Sequence, residues 1–420
     1  LIGGYIMLIE RHHAIELHKR VKGKVKMGPS TKLRTTDDLA YAYFPGSLVV
    51  ASIIAEDREA AFEYTGRGNS ILVVSNGSSI LGLEKQDPYA ILPILEGKCL
   101  VFKAFGDIDA FPLCLEVKNA QEIIEVCKLV APTVGGLNIS NISPLTSFDI
   151  LDKLKDSLDI PVFSDDHYGI AVALFGALKN ALIVVGKNLS DIKIIIWGAG
   201  KAGISTARLL LSAGAGQVIV VNSHGILTAS NPFMNREQAK LAESLDVSMD
   251  YQNIKGAMSG ADVFIGLSTK NAFDPDYIKL MNKNPIVFSL ALPEPEISPV
   301  LAREKGAAVV ASSQFWTTTI NPIASFQVYP GIMRGALDVR ARNITTAMLL
   351  EAADGFASSI DQKRLSPDNI VPPIFSDETT PRIAEAVAQT AIEEGIALNP
   401  LPKNKVYAKT WERLFGGRIV

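Results

Sequence analysis

Cysteine is scarce in this 420-residue chain, which holds three: Cys99, Cys114 and Cys127. Odd in number and without a CxxC pair, they exclude a disulfide-stapled scaffold. They read as reduced residues, mostly of the core, in a cytoplasmic protein. An excess of one charge is also missing. The net charge is −3 with 20% charged residues, so nothing basic speaks for nucleic acid as a partner. Long apolar runs are absent as well: the longest, residues 170–186, is interrupted by Lys179 and Asn180. It is too short and too polar to span a membrane, and a core helix is expected there. Residues 1–7 lack the charged start and cleavage pattern of a signal peptide, and Met7 is a candidate first residue. No internal repeat or low-complexity segment stands out.

What is present is enough for two domains with ample core, since 48% of the residues are hydrophobic. The most informative stretch runs from Lys193 to Leu211. Apolar residues 194–197 predict a buried parallel strand, Gly198-x-Gly200-x-x-Gly203 a glycine turn, and Ile204, Ala207, Leu210 and Leu211 a helix. Strand, turn and helix in that order give the context of a dinucleotide fingerprint. Gly198 would make the tight turn, Gly200 would admit a pyrophosphate, and Gly203 would let helix and strand pack closely. The helix N-terminus offers free N–H groups to phosphate. The next strand, 218–221, ends in Asn222, where Asp or Glu usually holds the ribose of NAD. Asn neither demands NAD nor repels a 2′-phosphate, so either NAD or NADP is expected. Strands at 263–267, 286–291 and 307–311 then alternate with helices or loops, which argues for a doubly wound parallel sheet. Ser268 and Leu292, at the ends of two of them, are further candidates for the cofactor.

Upstream, residues 8–20 have helical periodicity, and Asp37 or Asp38 is expected to cap a short helix leading into Tyr41–Gly46. Short strands are expected at 71–75 and 80–83, and Asn76-Gly77 between them predicts a hairpin or turn. A strand at 111–117 and helices at 120–129 and 147–157 come next. The predicted fold is α/β with two domains: an N-terminal α/β domain over 1–164 and a Rossmann-like doubly wound domain over 165–400. Helices are expected at 344–357 and 382–396, and a basic tail at 401–420.

Several polar residues sit in apolar surroundings or at strand ends. Lys98, beside Gly97 and an apolar run, is either a buried lysine of lowered pKa suited to acid–base work or a surface lysine at a strand start. Tyr43 is either a phenolic acid or a packed core tyrosine. Asp165 and Asp166 end an apolar run, where carboxylates serve a metal or a lysine partner, or simply shape a turn.

Taken together, these segments resemble the malic enzymes of the short bacterial type. The resemblance is carried by Tyr41-Ala-Tyr-Phe-Pro-Gly46, Gly97-Lys98, Phe102–Pro112, Ile160-Pro-Val-Phe-Ser-Asp-Asp166, Ala261–Gly266 and Tyr329–Ala341. It covers roughly residues 14–396 with the motifs in family order. It implies NAD(P)-dependent oxidation of L-malate or a close 2-hydroxy acid, then decarboxylation to a pyruvate-type product with Mg²⁺ or Mn²⁺. It implies that Lys98 takes the proton of the substrate hydroxyl, that Tyr43 protonates the enolate, and that Asp165 supports the lysine. Asp166 matches one of three metal-binding carboxylates. A homodimer acting on a small molecule, with no nucleic acid and no membrane, is implied as well.

The departures from the family pattern cluster on one site. Ser140 and Asn141 stand where an adjacent Glu-Asp pair binds metal, leaving Asp166 as the remaining carboxylate. Mg²⁺ favours charged oxygens, so these positions predict weakened metal binding. Leu292-Pro293 replaces Asn-Pro, and Ala324-Ser325 replaces Asn-Asn, which makes the substrate pocket less polar. Two alternatives arise from this: a metal-independent NAD(P) dehydrogenase of a less acidic substrate, or a non-catalytic dinucleotide-binding relative.

Overall fold

The computed structural model describes residues 11–81, 83, 87–117, 119–246, 253–316 and 320–416. The expectations for a leader, for Met7 and for the start of the first helix fall on residues 1–10, outside that set. Within it, the first helix is Arg11–Val21.

Among the described residues two sheets, parallel but for one short strand, organise the fold, and the α/β class read from the sequence is the one observed. The first contains β1 (Ser70–Ser75), β2 (Asp109–Cys114), β3 (Gly136–Ile139) and β4 (Val162–Phe163), in the order β2-β1-β3-β4. The helix Leu92–Gly106 is the crossover from β1 to β2. Pro112 lacks an N–H, and β2 tolerates it because it is an edge strand. The second sheet comprises β5 (Lys193–Trp197), β6 (Gln217–Asn222), β7 (Gly225–Ile226), β8 (Val263–Gly266), β9 (Ile286–Ser289) and β10 (Val309–Ser312). Its order is β10-β9-β8-β5-β6-β7, with only β7 antiparallel. The chain therefore reverses direction across the sheet between β5 and β8, the switch point where such folds bind ligands.

The helix Ile170–Val185 is the buried core helix expected from its apolar run. Gly176 lets it approach the helix Thr346–Ala357 closely; a Cβ there would lie 2.7 Å from the Ala353 carbonyl oxygen. The helix Tyr329–Asp338, from the C-terminal half, packs against the Leu92–Gly106 helix of the first sheet, with the Tyr329 ring 4.6 Å from that of Phe102. Residues expected as a basic tail include a helix, Lys405–Phe415, that buries Val406 and Thr410. From it Arg413 reaches Asp338 at 2.9 Å, the carboxylate that also pairs with the fully buried Arg334.

Three local expectations are corrected. Residues 80, 81 and 83 form no strand, so Asn76-Gly77 closes no hairpin; β1 is paired on both sides by β2 and β3 instead. Asn76 Oδ1 accepts from the Ser78 N–H, a turn held by its own side chain. The cap of the helix Thr36–Ala42 is Thr35, while Asp38 completes a capping box by accepting from the Thr35 N–H. Lys98 lies inside a helix and not at a strand start.

Residues Thr36–Glu56 and Asp165–Val185 are each apolar over 21 residues, long enough to cross a membrane by length and composition. The second is the core helix. The first is an arm of two helices, Thr36–Ala42 and Gly46–Glu56, in which no residue is buried.

Candidate active site

Ser140 follows β3 and Asp165 follows β4, so both stand at the C-terminal edge of the first sheet, where a parallel sheet opens its crevice. Lys98 comes in from the crossover helix, whose buried residues Leu95, Cys99 and Phe102 recur at helical spacing and set the face beside it. Its side chain is only 16% exposed. The ammonium donates to Ser140 Oγ at 2.5 Å, to Asp166 Oδ1 at 2.9 Å and to Asp165 Oδ2. Asp165 is fixed from behind by Asn138 of β3: Asn138 Nδ2 donates to Asp165 Oδ1 at 2.9 Å, and the Asp165 N–H donates back at 3.2 Å. Residues Asp165–Gly169 form a wide, π-type turn that aims both carboxylates at the lysine.

Asp166 is equally engaged. Its Oδ2 accepts from the Asn141 N–H at 2.6 Å and from Lys201 Nζ at 3.1 Å. Lys201 opens the helix Lys201–Ser212 of the second sheet, and its ammonium also donates to the Ile142 carbonyl at 3.0 Å. The cluster is thus closed across the crevice by a residue from the dinucleotide turn.

Charge decides the protonation states. Burial by itself would lower the pKa of Lys98, but the charges of Asp165 and Asp166 outweigh it and hold the ammonium above its ordinary value. The sequence expectation of a lowered lysine pKa is corrected accordingly. Burial would raise Asp166, yet Lys98 and Lys201 prevail and hold it well below the usual carboxylate range. His167 lies apart from this cluster, with Nε2 2.9 Å from Ser147 Oγ. Burial, then the Lys201 charge, takes its pKa down to about 3.

Tyr43 is not brought to the cluster. It ends the helix Thr36–Ala42 on the bare arm and is 72% exposed, which also rules out a packed core tyrosine.

On the second sheet the glycine turn has the expected geometry. Gly198 has φ +126°, a conformation that L side chains rarely adopt. Gly200 faces open space, while a Cβ on Gly203 would lie 1.8 Å from the Gly198 carbonyl oxygen. Gly198, Gly200, Asn222 and Ser268 line a cleft of about 560 Å³ together with Trp197 and Thr269. Its volume, its glycine floor and the N-terminus of the helix Lys201–Ser212 fit a dinucleotide. Asn222 shapes the turn beneath it: Oδ1 accepts from the His224 N–H and Nδ2 donates to the Phe233 carbonyl. Leu292 is exposed and does not line this cleft.

Sequence reading missed three residues. Lys201 occupies an unconstrained position of the fingerprint, where any residue type is compatible with the turn. Asn138 read as part of a buried strand. Glu296 is buried and accepts from the N–H groups of Ser268 and Ala291 and from the Ser289 hydroxyl, joining the ends of β8 and β9.

The divalent ion that the resemblance implies does not fit these residues. Both oxygens of Asp166 are occupied by ammonium or N–H donors, and Ser140 and Asn141 are neutral. Among the described residues no group of three His, Cys, Asp or Glu side chains is placed to hold a metal.

A lysine–carboxylate cluster facing a dinucleotide cleft across two parallel sheets defines a two-domain nicotinamide-dependent oxidoreductase. Residues 23–155 match the family described as malic enzyme, N-terminal domain, and residues 168–392 match malic enzyme, NAD binding domain. The NAD-dependent malic enzyme of Geobacillus stearothermophilus is 40% identical over 385 residues, covering 90% of this chain and 78% of that protein. The bifunctional malic/malolactic enzyme of Bacillus subtilis (strain 168) is 37% identical, covering 95% and 97%. The crystal structure of malic enzyme from Pyrococcus horikoshii Ot3 superposes with a TM-score of 0.90 at 37% identity, covering 97% and 96%. The chain belongs to the malic enzyme family.

Proposed function

We propose that this protein oxidises L-malate or a close 2-hydroxy acid with NAD or NADP and decarboxylates the product to a pyruvate-type 2-oxo acid. The observation that supports the reading most is the Lys98–Asp165–Asp166 cluster opposite the glycine-turn cleft. When bound, the dinucleotide supplies the acceptor for the hydrogen at substrate C2, as a hydride. The Lys98–Asp165 pair handles the hydroxyl proton as a unit. Because Lys98 is held as an ammonium, it takes that proton only as its own passes to Asp165. The pair then ends as ammonium and carboxylic acid. Loss of CO₂ from C3 leaves an electron pair that the C2 carbonyl accepts as an enolate; Tyr43 returns a proton to C3 and recovers one from the Lys98–Asp165 pair, which restores both.

Tyr43 stands on the arm, so we propose that it reaches the cluster of a second copy in a homodimer. The exposed apolar residues Leu39, Tyr41, Phe44, Leu48 and Val49 surround it on that arm and would be covered in the same contact. The same reading has the dimer in the cytoplasm, working on a small-molecule substrate.

The test is the absorbance of reduced nicotinamide with L-malate and each cofactor, with CO₂ measured in parallel. Equal amounts of reduced cofactor and CO₂ are expected. Reduced cofactor without CO₂ would restrict the activity to simple oxidation, and neither product would refute the reading.

A further inference from the structure

We propose that Lys201 is a built-in cation that holds the anionic end of the substrate in place of a divalent ion. The inference deepens the reading of this site as one for a 2-hydroxy acid, and it rests on that reading for the identity of the ligand.

Three observations converge. The first is position: Lys201 Nζ lies on Asp166 at 3.1 Å, the single carboxylate left of the metal-binding set. Its side chain is only 13% exposed, and it is steered there by the Ile142 carbonyl at 3.0 Å. The second is charge. Lys98 and Lys201 face Asp165 and Asp166, two positive against two negative, so the four side chains sum to neutral. A divalent ion added to this set would meet two ammonium groups and neutral Ser140 and Asn141. A substrate carboxylate, by contrast, adds negative charge beside the two ammonium groups. The third is placement in the fold. Lys201 is the first residue of its helix, the end where the backbone dipole disfavours a cation. Its Nζ is held by groups of the other sheet's crevice, Asp166 and Ile142.

In this role the one N–H of the ammonium not taken by Asp166 and the Ile142 carbonyl donates to the C1 carboxylate, with the positive charge beside the C2 oxygen. It stabilises negative charge on C2 oxygen as CO₂ leaves, which is electrostatic work that a metal ion otherwise performs. No bond to Lys201 forms or breaks.

The test uses the whole protein and oxalate, a non-reacting dianion that imitates the C1 carboxylate and an enolate oxygen. Wild type is expected to bind oxalate in EDTA by calorimetry and to take up no Mn²⁺ by electron paramagnetic resonance. Lys201→Met should weaken oxalate by roughly ten- to a hundredfold, the loss expected for a charged hydrogen bond. Its affinity for reduced dinucleotide should stay within about threefold, and Lys201→Arg should retain most oxalate binding. The triple variant Ser140→Glu, Asn141→Asp, Lys201→Met should gain a Mn²⁺ signal, and it remains informative if the single methionine variant fails to fold. Stoichiometric Mn²⁺ uptake by wild type would overturn the proposal. So would a loss of dinucleotide rather than oxalate affinity in Lys201→Met, or a triple variant that folds and takes up no Mn²⁺. Oxalate binding that depends on Lys201 without turnover of any 2-hydroxy acid would sink the proposed function and leave this assignment standing.

Discussion

His167 stands one residue beyond Asp166 yet answers to the opposite force. Asp166 keeps its charge because two lysines face it, whereas burial keeps His167 neutral with a pKa of about 3. The consequence for stability has a definite sign. Between about 6.5 and about 3 the unfolded chain binds a proton that the folded chain refuses, so stability falls as the pH drops through that window. The slope from this one group is at most about 1.4 kcal/mol per pH unit. His167→Gln is expected to flatten the dependence by about one proton, measured by urea unfolding at about pH 4 and about pH 6. Identical pH slopes for variant and wild type would contradict it. Lys98 works at the other end of the scale. Its raised pKa contributes stability that is present below its ordinary value and lost only as pH rises through the elevated one. Much of this site was legible in sequence, because Lys98, Asp165 and Asp166 each stand out as polar residues among apolar ones. Their mutual charge was not legible. A lysine's pKa depends on which carboxylates the fold brings to it, and Asp165 is 67 residues away along the chain.

At the scale of single elements, the glycine turn was read almost completely and the crossover helix was not. The difference is physical. Gly198 needs a positive φ and Gly203 has no room for a Cβ, demands that glycine alone meets, while Leu92–Gly106 mixes a proline, glycines and apolar residues that suit a strand as well as a helix. Only the 95, 99, 102 spacing of its buried residues would have signalled the helix. The absent hairpin has a similar origin, since Asn-Gly marks a turn without specifying a second strand beyond it. The glycine turn also separates two roles that can be tested apart. Gly203→Ala forces a methyl into the Gly198 carbonyl and should cost about 1–3 kcal/mol of stability, along with dinucleotide binding. Gly200→Ala meets nothing within 4 Å, so it should leave the melting temperature in place and weaken only the dinucleotide. Thermal unfolding and fluorescence titration with reduced dinucleotide check both, and a destabilised Gly200→Ala protein would contradict the division.

On the scale of the whole molecule, the chain presents a cluster without its tyrosine and an arm without a cover. A dimer in which each arm serves the other copy's cluster resolves both. Such an arrangement predicts complementation. Tyr43→Phe and Lys98→Ala should each be inactive alone. A mixed dimer of the two holds one site with both Lys98 and Tyr43 and one with neither. Random mixing should therefore restore about a quarter of wild-type turnover, half of the dimers being mixed with half of their sites intact. No recovery on mixing, under conditions where subunits exchange, would place Tyr43 with its own chain's lysine. The sequence carried both motifs but not their separation in space, because order along the chain does not say which copy of a residue a site receives.

Glu296 gives the opposite wall of the crevice a different character. Its carboxylate gathers the strand-end N–H groups of Ser268 and Ala291 and the Ser289 hydroxyl while wholly buried. Two loops that would otherwise wander are thereby ordered when the chain folds. A nucleotide arriving at this lip meets a preorganised surface, and little of its binding energy is diverted into restraining it. Affinity on this side of the crevice is therefore set during folding, before any ligand is present.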